Sequence, residues 1–185
     1  MSTSRVITWE VSESKGLETA WIEFDGDALR ARGRAVGTTP EPYWISYALD
    51  TTDGFVTRRL LVEAATAHGT RMLDLRHDGE GRWTTNGERV PQVDGALDCD
   101  LGLCPLTNTM PVLRHGLHRA PGEREFLMAW VAVPELTVEP SRQTYAHLGP
   151  GLVRFASADF RSDLVVDADG CVVDYPGLAA RLTAA

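Results

Sequence analysis

Apolar and polar residues alternate with a period of two along most of this chain, and this alternation limits its possible folds more than any other feature. The segment 43–49 is the clearest example, with Tyr43, Ile45 and Leu49 on one face. Such segments are bounded by Gly, Pro, Asp or Asn, the turn residues of antiparallel meanders. The sequence therefore predicts a mostly β fold, either an antiparallel barrel-like sheet or a curved sheet in two halves.

The individual elements follow from the same pattern. We predict strands over residues 18–24, 28–37, 43–49, 55–67, 70–77, 82–86, 112–118, 125–133, 136–138, 143–148, 152–157, 163–167 and 171–175. One or two short helices are expected, at 105–110 and 178–183. Pro105 suits the first turn of the helix predicted at 105–110, and Pro111 is expected to end that helix.

A chain of 185 residues fits one domain, here residues 1–185. Residues 73–83 resemble 164–175, since each consists of a strand, an Asp-Gly turn, a second strand and an aromatic residue. Two interpretations remain open. One is an internal duplication with halves at about 17–95 and 112–178, and the other is independent hairpins that share turn chemistry.

The charge and the apolar runs exclude several kinds of partner. The net charge of −8 argues against a nucleic acid or an anionic membrane surface, because both favour a basic protein face. The longest apolar run, 126–133, is far shorter than the ~18 residues of a membrane span, so no stable membrane insertion is expected. The N-terminus lacks the apolar run of a secretion signal, and the three cysteines form no CxxC pair. We expect a cytoplasmic protein with free, mostly buried thiols.

The least generic segment is 97–114, LDCDLGLCPLTNTMPVLR. Asp98 and Asp100 share one face of an extended stretch, and a polar run of Thr107, Asn108 and Thr109 follows. In one interpretation the polar run is a structural corner that satisfies backbone groups. In the other, the carboxylates and the amide bind the headgroup of an amphiphile beside apolar walls. The residues alone favour the structural corner.

An arginine interrupts a predicted apolar face in the strand 55–67. Val56 and Leu60 flank Arg58 on that face. A charge on an apolar face must be paired or must meet a polar ligand, because an isolated buried charge is very costly. Arg58 is thus a candidate ligand-binding residue, and a salt bridge to Asp98 or Asp100 is the structural alternative.

Small residues face the predicted core in the strand 28–37, where Gly33 is central. Strand glycines often mark a close approach of backbone and ligand, and a sheet of about a dozen strands is hard to fill with side chains. We therefore expect a cavity or a groove between the halves. Tyr47, Trp83 and Tyr145 complete the set of candidate ligand-binding residues.

Few sequence features point to catalysis or metal binding. The chain contains no GxSxG, P-loop, GxGxxG or HExxH motif. His115 and His118 have no third ligand in view, and 167–170 is better interpreted as a hairpin turn than as a calcium loop. No catalytic residue, metal or cofactor is predicted.

Five segments together carry a family resemblance: TTDGFVTRRLLVE, LRHDGEGRW, LDCDLGLCPLTNTMPVLR, QTYAHL and VDADGCVVDYPGL. They resemble the bacterial putative glycolipid-binding family over about residues 9–178. The resemblance implies a β-rich, barrel-like fold similar to that of bacterial lipoprotein carriers, and binding of a glycolipid. It matches Arg58, Asp98, Asp100 and the run 107–109 to family positions without assigning them roles. Cys104 and Leu106 depart from the family pattern, in which Thr and Phe are expected.

Three hypotheses follow. The first, which we favour, is a non-catalytic protein that binds a glycolipid or similar amphiphile in an apolar cavity with a polar end. The second is an enzyme that acts on a sugar or lipid through Asp98 or Asp100 with Arg58. The third is a structural or partner-binding module with a fully packed interior.

Overall fold

The computed structural model describes residues 2–183. The strands are β1 Thr3–Val11, β2 Gly16–Asp25, β3 Ala28–Gly37, β4 Tyr43–Thr52, β5 Val56–Thr66, β6 Gly69–His77, β7 Trp83–Thr85, β8 Glu88–Arg89, β9 Asp98–Leu101, β10 Glu123–Val131, β11 Val138–Gly149, β12 Leu152–Ser157, β13 Phe160–Val166, β14 Val172–Tyr175 and β15 Ala179–Arg181. The helix α1 spans Thr109–Arg114, and short 3-10 helices span Asp53–Phe55, Pro91–Val93 and Pro105–Asn108.

These strands form a single curved sheet, which confirms the predicted mostly β fold in its curved rather than its closed form. The order across the sheet is β8-β7-β6-β5-β4-β3-β2-β1-β15-β14-β13-β12-β11-β10-β9. Neighbours are antiparallel except β9 and β10, which are parallel. The first half, β1–β8, joins the second half, β9–β15, through pairing of β1 with β15. The internal duplication stays a prediction.

The strands β9 and β10 are buried on both faces and divide the interior into two hydrophobic clusters. Cys99 and Leu101 of β9 and Val131 of β10 pack into the cluster of the first half. Phe126 and Met128, on the opposite face of β10, belong to the cluster of the second half. Neither face of β9 is turned to solvent, because each of its two faces meets a hydrophobic cluster.

Several element predictions were wrong. Pro111 does not end a helix, because it lies in the first turn of α1, where proline is tolerated. Residues 136–138 do not form a strand of their own, since only Val138 is part of β11.

The strand β1 was not predicted, although Ile7, Trp9 and Val11 alternate inward along it. Residues 112–118 contain part of α1 instead of a strand, because a short apolar run does not distinguish the two by periodicity. Residues 178–183 contain β15 instead of a helix, since pairing with β1 and β14 overrides local preference.

The small residues of β3 do not leave a cavity. Gly33 lies opposite Tyr47 and Gly37 opposite Tyr43, and a Cβ at either glycine would overlap the facing tyrosine ring. The two rings therefore occupy the space that the missing side chains leave. The expected cavity along β3 and against β5 is replaced by a packed core, in which Leu60 is completely buried.

A β-bulge in β5 reverses the predicted position of Arg58. The register shifts between Thr51, which faces Thr57, and Asp50, which faces Arg59. The extra residue turns Arg58 to the exposed outer face and turns Thr57 inward. The prediction that Arg58 interrupts the buried face was therefore wrong.

The same bulge covers the edge of the sheet at β9. The Thr57 backbone N–H donates to the Leu97 carbonyl at 3.0 Å, and the Thr57 hydroxyl accepts from the Cys99 N–H at 3.0 Å. The exposed edge that β9 would otherwise present is thus hydrogen-bonded within the chain.

Candidate ligand-binding groove

The segment after β9 crosses the inner face of the second half and carries part of the candidate site. The 3-10 helix Pro105–Asn108 and α1 are largely buried, and Val112 of α1 packs with Tyr145 and Phe126 in the second cluster. This packing fixes the polar side chains of 107–108 opposite the strand β11. The polar run is thus a structural corner, as the residues alone favoured, and it also borders a pocket.

A hydrogen-bonded network joins the corner to β11. The Thr107 hydroxyl donates to Asp100 Oδ1 at 2.9 Å, and Gln143 Nε2 donates to Asp100 Oδ2 at 2.6 Å. The Tyr145 hydroxyl lies 2.9 Å from Asn108 Oδ1 and 3.2 Å from Gln143 Oε1. Each carboxylate oxygen of Asp100 keeps a second lone pair, which leaves acceptor capacity for a ligand hydroxyl.

This network borders a pocket of about 400 Å³, called the polar pocket here. Asp100, Asn108 and Gln143 contribute its polar lining, together with two serines of β11 and β12. Phe155 and Tyr175 contribute ring surface on the other side, and their centroids are 5.8 Å apart. Polar groups converging beside aromatic walls are the usual composition of a small-molecule site.

A second pocket of about 410 Å³, called the apolar pocket here, adjoins the first. The two pockets share Leu103, Trp130 and Leu178 in their walls, together with Glu13 and Gly102, and the two adjacent pockets are called the groove here. Pro40 and Val133 extend the apolar wall away from the network. Glu13, Thr39 and Glu135 also line the apolar pocket, so the groove has the hydrogen-bonded network at its polar end and a larger apolar wall beside two carboxylates at its other end, called the apolar end here.

Leu103 lies where the two pockets meet and has an unusual backbone conformation. Its φ of 62° is in the left-handed region, which costs a non-glycine residue about 1–2 kcal/mol. The turn is closed by the Cys104 N–H, which donates to the Leu101 carbonyl at 3.2 Å. Strain of this kind persists only where the surrounding structure enforces it, and it is concentrated at ligand sites.

Asp100 and Glu13 are the carboxyl groups of the polar pocket, and Asp100 is the one within the hydrogen-bonded network. Burial raises the pKa of its carboxyl group, the hydrogen bonds from Gln143 and Thr107 oppose this effect, and the neighbouring Asp98 adds to it. A carboxyl group in this environment is well suited to hydrogen bonding, since it is held in place by two donors and partly removed from water.

Asp98 has a structural role instead. Arg114 Nη2 lies 2.5 Å from Asp98 Oδ1, and Arg114 Nη1 lies 2.6 Å from Asp98 Oδ2. The same guanidinium donates to the carbonyls of Gly54 and Phe55, both at 2.7 Å. Asp98 thus joins β9, α1 and the turn before β5, and it lies outside both pockets.

The structure therefore does not assemble the catalytic alternative. It would need Asp98 and Asp100 to act with Arg58, but Asp98 is occupied by Arg114 and Arg58 is on the outer face. Neither aspartate is paired with Arg58, so the structural alternative of a salt bridge from that arginine was also wrong.

The remaining predicted residues lie in the packed interior. Trp83 is completely buried, stacks on His77 with centroids 4.7 Å apart, and donates from Nε1 to the Ala96 carbonyl at 2.9 Å. Thr109 is also completely buried. None of these side chains lines the groove. Of the nine predicted residues, the structure places Asp100, Thr107, Asn108 and Tyr145 together.

Tyr47, a further predicted residue, points to a buried carboxyl group that sequence analysis missed. The Tyr47 hydroxyl donates to Glu18 Oε1 at 2.5 Å, and Glu18 is completely buried. Burial raises the pKa of Glu18 to about 8, an effect that the hydrogen bond from Tyr47 opposes. Glu18 is therefore protonated near neutral pH and serves as a hydrogen-bonding group within the first half.

Sequence analysis also missed Gln143, Trp130 and Leu103. A signal for Gln143 existed, because it precedes Tyr145 by two residues and so shares its face of a strand. Trp130 lies in the longest apolar run, where nothing distinguishes a groove residue from a core residue. Arg114 could have been found as the basic residue of the last turn of α1.

Other features of the described residues limit the site. Within 2–183, no group of three or more His, Cys, Asp or Glu side chains is arranged to hold a metal ion. The three cysteines are free and buried, as predicted. In the same part of the chain, no helix is long and apolar enough to cross a membrane. The cytoplasmic location stays a prediction.

Comparisons with known proteins agree with the sequence resemblance. The model of the family described as "Putative glycolipid-binding" matches residues 6–181. No curated protein matches the sequence. A crystal structure of a DUF1089 family protein from Pseudomonas aeruginosa is similar, with a TM-score of 0.77 and 30% sequence identity over 89% of this chain and 92% of that chain.

The family match covers nearly the whole chain, and the solved structure shares the curved sheet over the same extent. The segments that carry the resemblance supply β5, the corner after β9 and the network strand β11. The chain belongs to the putative glycolipid-binding family.

Proposed function

We propose that this protein binds a glycolipid or a similar single-chain amphiphile, without chemical change, in the groove that runs from the inner face of its second half to Pro40 of the first half. The observation that carries the proposal is that the two pockets adjoin and share one wall. The network of Asp100, Gln143 and Asn108 borders one end, and Pro40 and Val133 border the other.

The two ends suit the two parts of such a ligand. At the polar end, Asp100 accepts hydrogen bonds from sugar hydroxyls, and Asn108 offers both a donor and an acceptor. The rings of Phe155 and Tyr175 provide a flat apolar surface for the face of a sugar. At the apolar end, Trp130 and Val133 remove an alkyl chain from water.

The energetics are feasible. Burying about 12 methylenes at about 0.8 kcal/mol each contributes about 10 kcal/mol. Association costs of about 4–15 kcal/mol offset much of this gain. The alkyl chain of the ligand therefore supplies most of the affinity, and the hydrogen bonds at Asp100 select the headgroup.

The test separates the two ends by titrating the protein calorimetrically with alkyl glycosides and alkyl alcohols of increasing chain length. Each added methylene is expected to tighten binding about fourfold while the chain still fits. Asp100→Asn is expected to weaken glycoside binding about tenfold, because it removes a charged acceptor, and to leave alcohol binding unchanged.

Trp130→Ala is expected to weaken binding of both ligand classes. Its matched control is Trp44→Ala, a tryptophan on the outer face of the first half. Affinity that does not change with chain length would contradict the proposal, as would failure to bind any of these ligands. Native mass spectrometry of the freshly purified protein checks independently for a bound amphiphile.

A further inference from the structure

A second depression, of about 600 Å³, lies on the outer face of the first half, on the opposite side of the sheet from its core. The side chains around it include Trp21, Leu61 and Met72, together with Arg32, Arg34 and one carboxylate, Glu63. Tyr47 also borders it, although its ring faces inward. This depression is separate from the ligand groove, with which it shares no lining residue.

Large apolar side chains continue beyond the depression. Leu17, Val36 and Trp44 lie opposite one another on the neighbouring strands β2, β3 and β4. Trp21 is 48% exposed and Trp44 46% exposed. A soluble monomer rarely exposes so many adjacent apolar groups, and such patches commonly mark a surface that contacts a partner or a membrane. We call this region the tryptophan–arginine surface.

The arginines of this surface differ from their neighbours in pairing. Among the described residues, no ion pair or side-chain hydrogen bond involves Arg32 or Arg34. By contrast, Arg59 pairs with Asp74 at 2.7 Å, and so does Arg76 at 2.9 Å. Two unpaired arginines and one carboxylate, Glu63, therefore lie within an exposed apolar surface, which is locally basic on a chain whose net charge is −8.

We propose that the tryptophan–arginine surface docks the protein on a lipid bilayer that contains anionic lipids. Indole rings favour the interface between headgroups and acyl chains, and Trp21 and Trp44 are exposed in that manner. Arg32 and Arg34 reach lipid phosphates through forked hydrogen bonds while their stems cover apolar surface. The docking is peripheral and does not involve a membrane span.

The negative charge of the rest of the chain determines the orientation of the docked protein. An anionic surface repels a protein of net charge −8 in most orientations, and only a face with unpaired cations is attracted. The expectation that anionic membranes are disfavoured as partners rested on net charge alone. The placement of Arg32 and Arg34 changes that conclusion for one face.

The proposal goes beyond the ligand groove and does not depend on it. It is tested by sedimenting the full chain with phosphatidylcholine vesicles, with and without phosphatidylglycerol. Binding is expected only with phosphatidylglycerol, and it should weaken as salt rises from about 0.1 M to about 1 M. Arg32→Gln with Arg34→Gln is expected to weaken binding roughly 20- to 30-fold, at about fivefold for each charge.

Arg124→Gln with Arg161→Gln is the matched control, since both arginines are exposed on the second half. This control should bind vesicles like the unaltered protein. Trp44→Ser should weaken vesicle binding and reduce the blue shift of tryptophan emission, and the remaining shift is expected to come from Trp21. Urea unfolding of every variant confirms that these exposed substitutions leave the fold intact.

Several outcomes would contradict the proposal that this surface docks on anionic bilayers. They are equal binding to both kinds of vesicle, no binding to either, or equal losses in the two arginine pairs. Sedimentation velocity that shows a dimer dissociated by Arg32→Gln with Arg34→Gln would assign the surface to a second copy. The ligand groove is tested independently of the docking surface, because the arginine variants should bind alkyl glycosides normally and Asp100→Asn should bind vesicles normally.

Discussion

The inner faces of the two halves are built from similar strands, yet one is filled and the other retains a groove. In the first half, Tyr43 and Tyr47 cover the glycines of β3, and strands β9 and β10 pack against the remaining core. In the second half, the inner face is covered by a short corner and a six-residue helix, α1. The shorter cover leaves space beside the Asp100 network.

This difference indicates that the elements packed against the inner face of a sheet, more than the strands of the sheet, decide whether that face has space for a ligand. Small residues on β3 indicated space, but the cross-strand tyrosines occupy it. Larger residues on β12 and β13, such as Phe155 and Phe160, line a pocket beside the aromatic cluster that they form with Tyr175. Four stability measurements test this contrast.

The largest effect is expected from Arg114→Met, which removes the ion pair that holds α1 over the second half. Asp98 would remain buried without its partner, and such a loss costs about 3–5 kcal/mol. Urea unfolding measures the free energy of unfolding. Adding Asp98→Asn should restore part of it, and Arg154→Met, which breaks an exposed pair with Asp163, should cost less than about 1 kcal/mol. A similar loss in both arginine variants would contradict the structural role of Asp98.

Gly33→Ala tests whether the first half is filled. The added Cβ overlaps the Tyr47 ring, so we expect about 2–3 kcal/mol of destabilisation in urea unfolding. Gly149→Ala is the control, because its Cβ would meet no atom within 4 Å and its effect should stay below about 1 kcal/mol. If Gly33→Ala is tolerated equally well, the first half contains space that a ligand could use.

Glu18→Gln tests the buried carboxyl group of the first half through pH. The folded pKa of Glu18, about 8, lies above its ordinary value of 4.5, so the folded state holds the proton more tightly. The contribution of Glu18 to the free energy of unfolding is fully present below about pH 4.5 and is lost as pH rises towards 8.

Relative to the unaltered protein, Glu18→Gln should therefore become more stable by about 1.4 kcal/mol for each pH unit between these values. Urea unfolding at several pH values measures this difference. Glu23→Gln, on the exposed face of the same strand, serves as the control for removal of a charge. A pH-independent difference for Glu18→Gln would mean that its carboxyl group is not buried as described.

Asp100→Asn should have the smallest effect on stability, below about 1 kcal/mol. The amide keeps an acceptor for Thr107 or Gln143, and it removes a charge that burial disfavours. Urea unfolding provides the measurement, with Asp98→Asn as the contrasting variant. A loss as large as that of Asp98→Asn would show that both aspartates are structural and would weaken the comparison between the halves.

The β class and most strand positions could be predicted from the sequence, because alternation and turn residues are local signals. The family followed from the resemblance of five segments. The sequence also brought Asp100, Thr107 and Asn108 into one candidate site, since they lie within nine residues of chain. Their partners Gln143 and Tyr145 come from a distant strand, and that pairing required the fold.

Which residues face the groove depends on contacts between distant parts of the chain. A one-residue bulge turned Arg58 outward, because the period of two reverses every face beyond it. Arg114 took the place of Arg58 beside Asp98. Whether small residues such as Gly33 leave a cavity depends on the opposing strand, and Tyr47 fills that space. Register and packing across strands are long-range properties, and local alternation does not encode them.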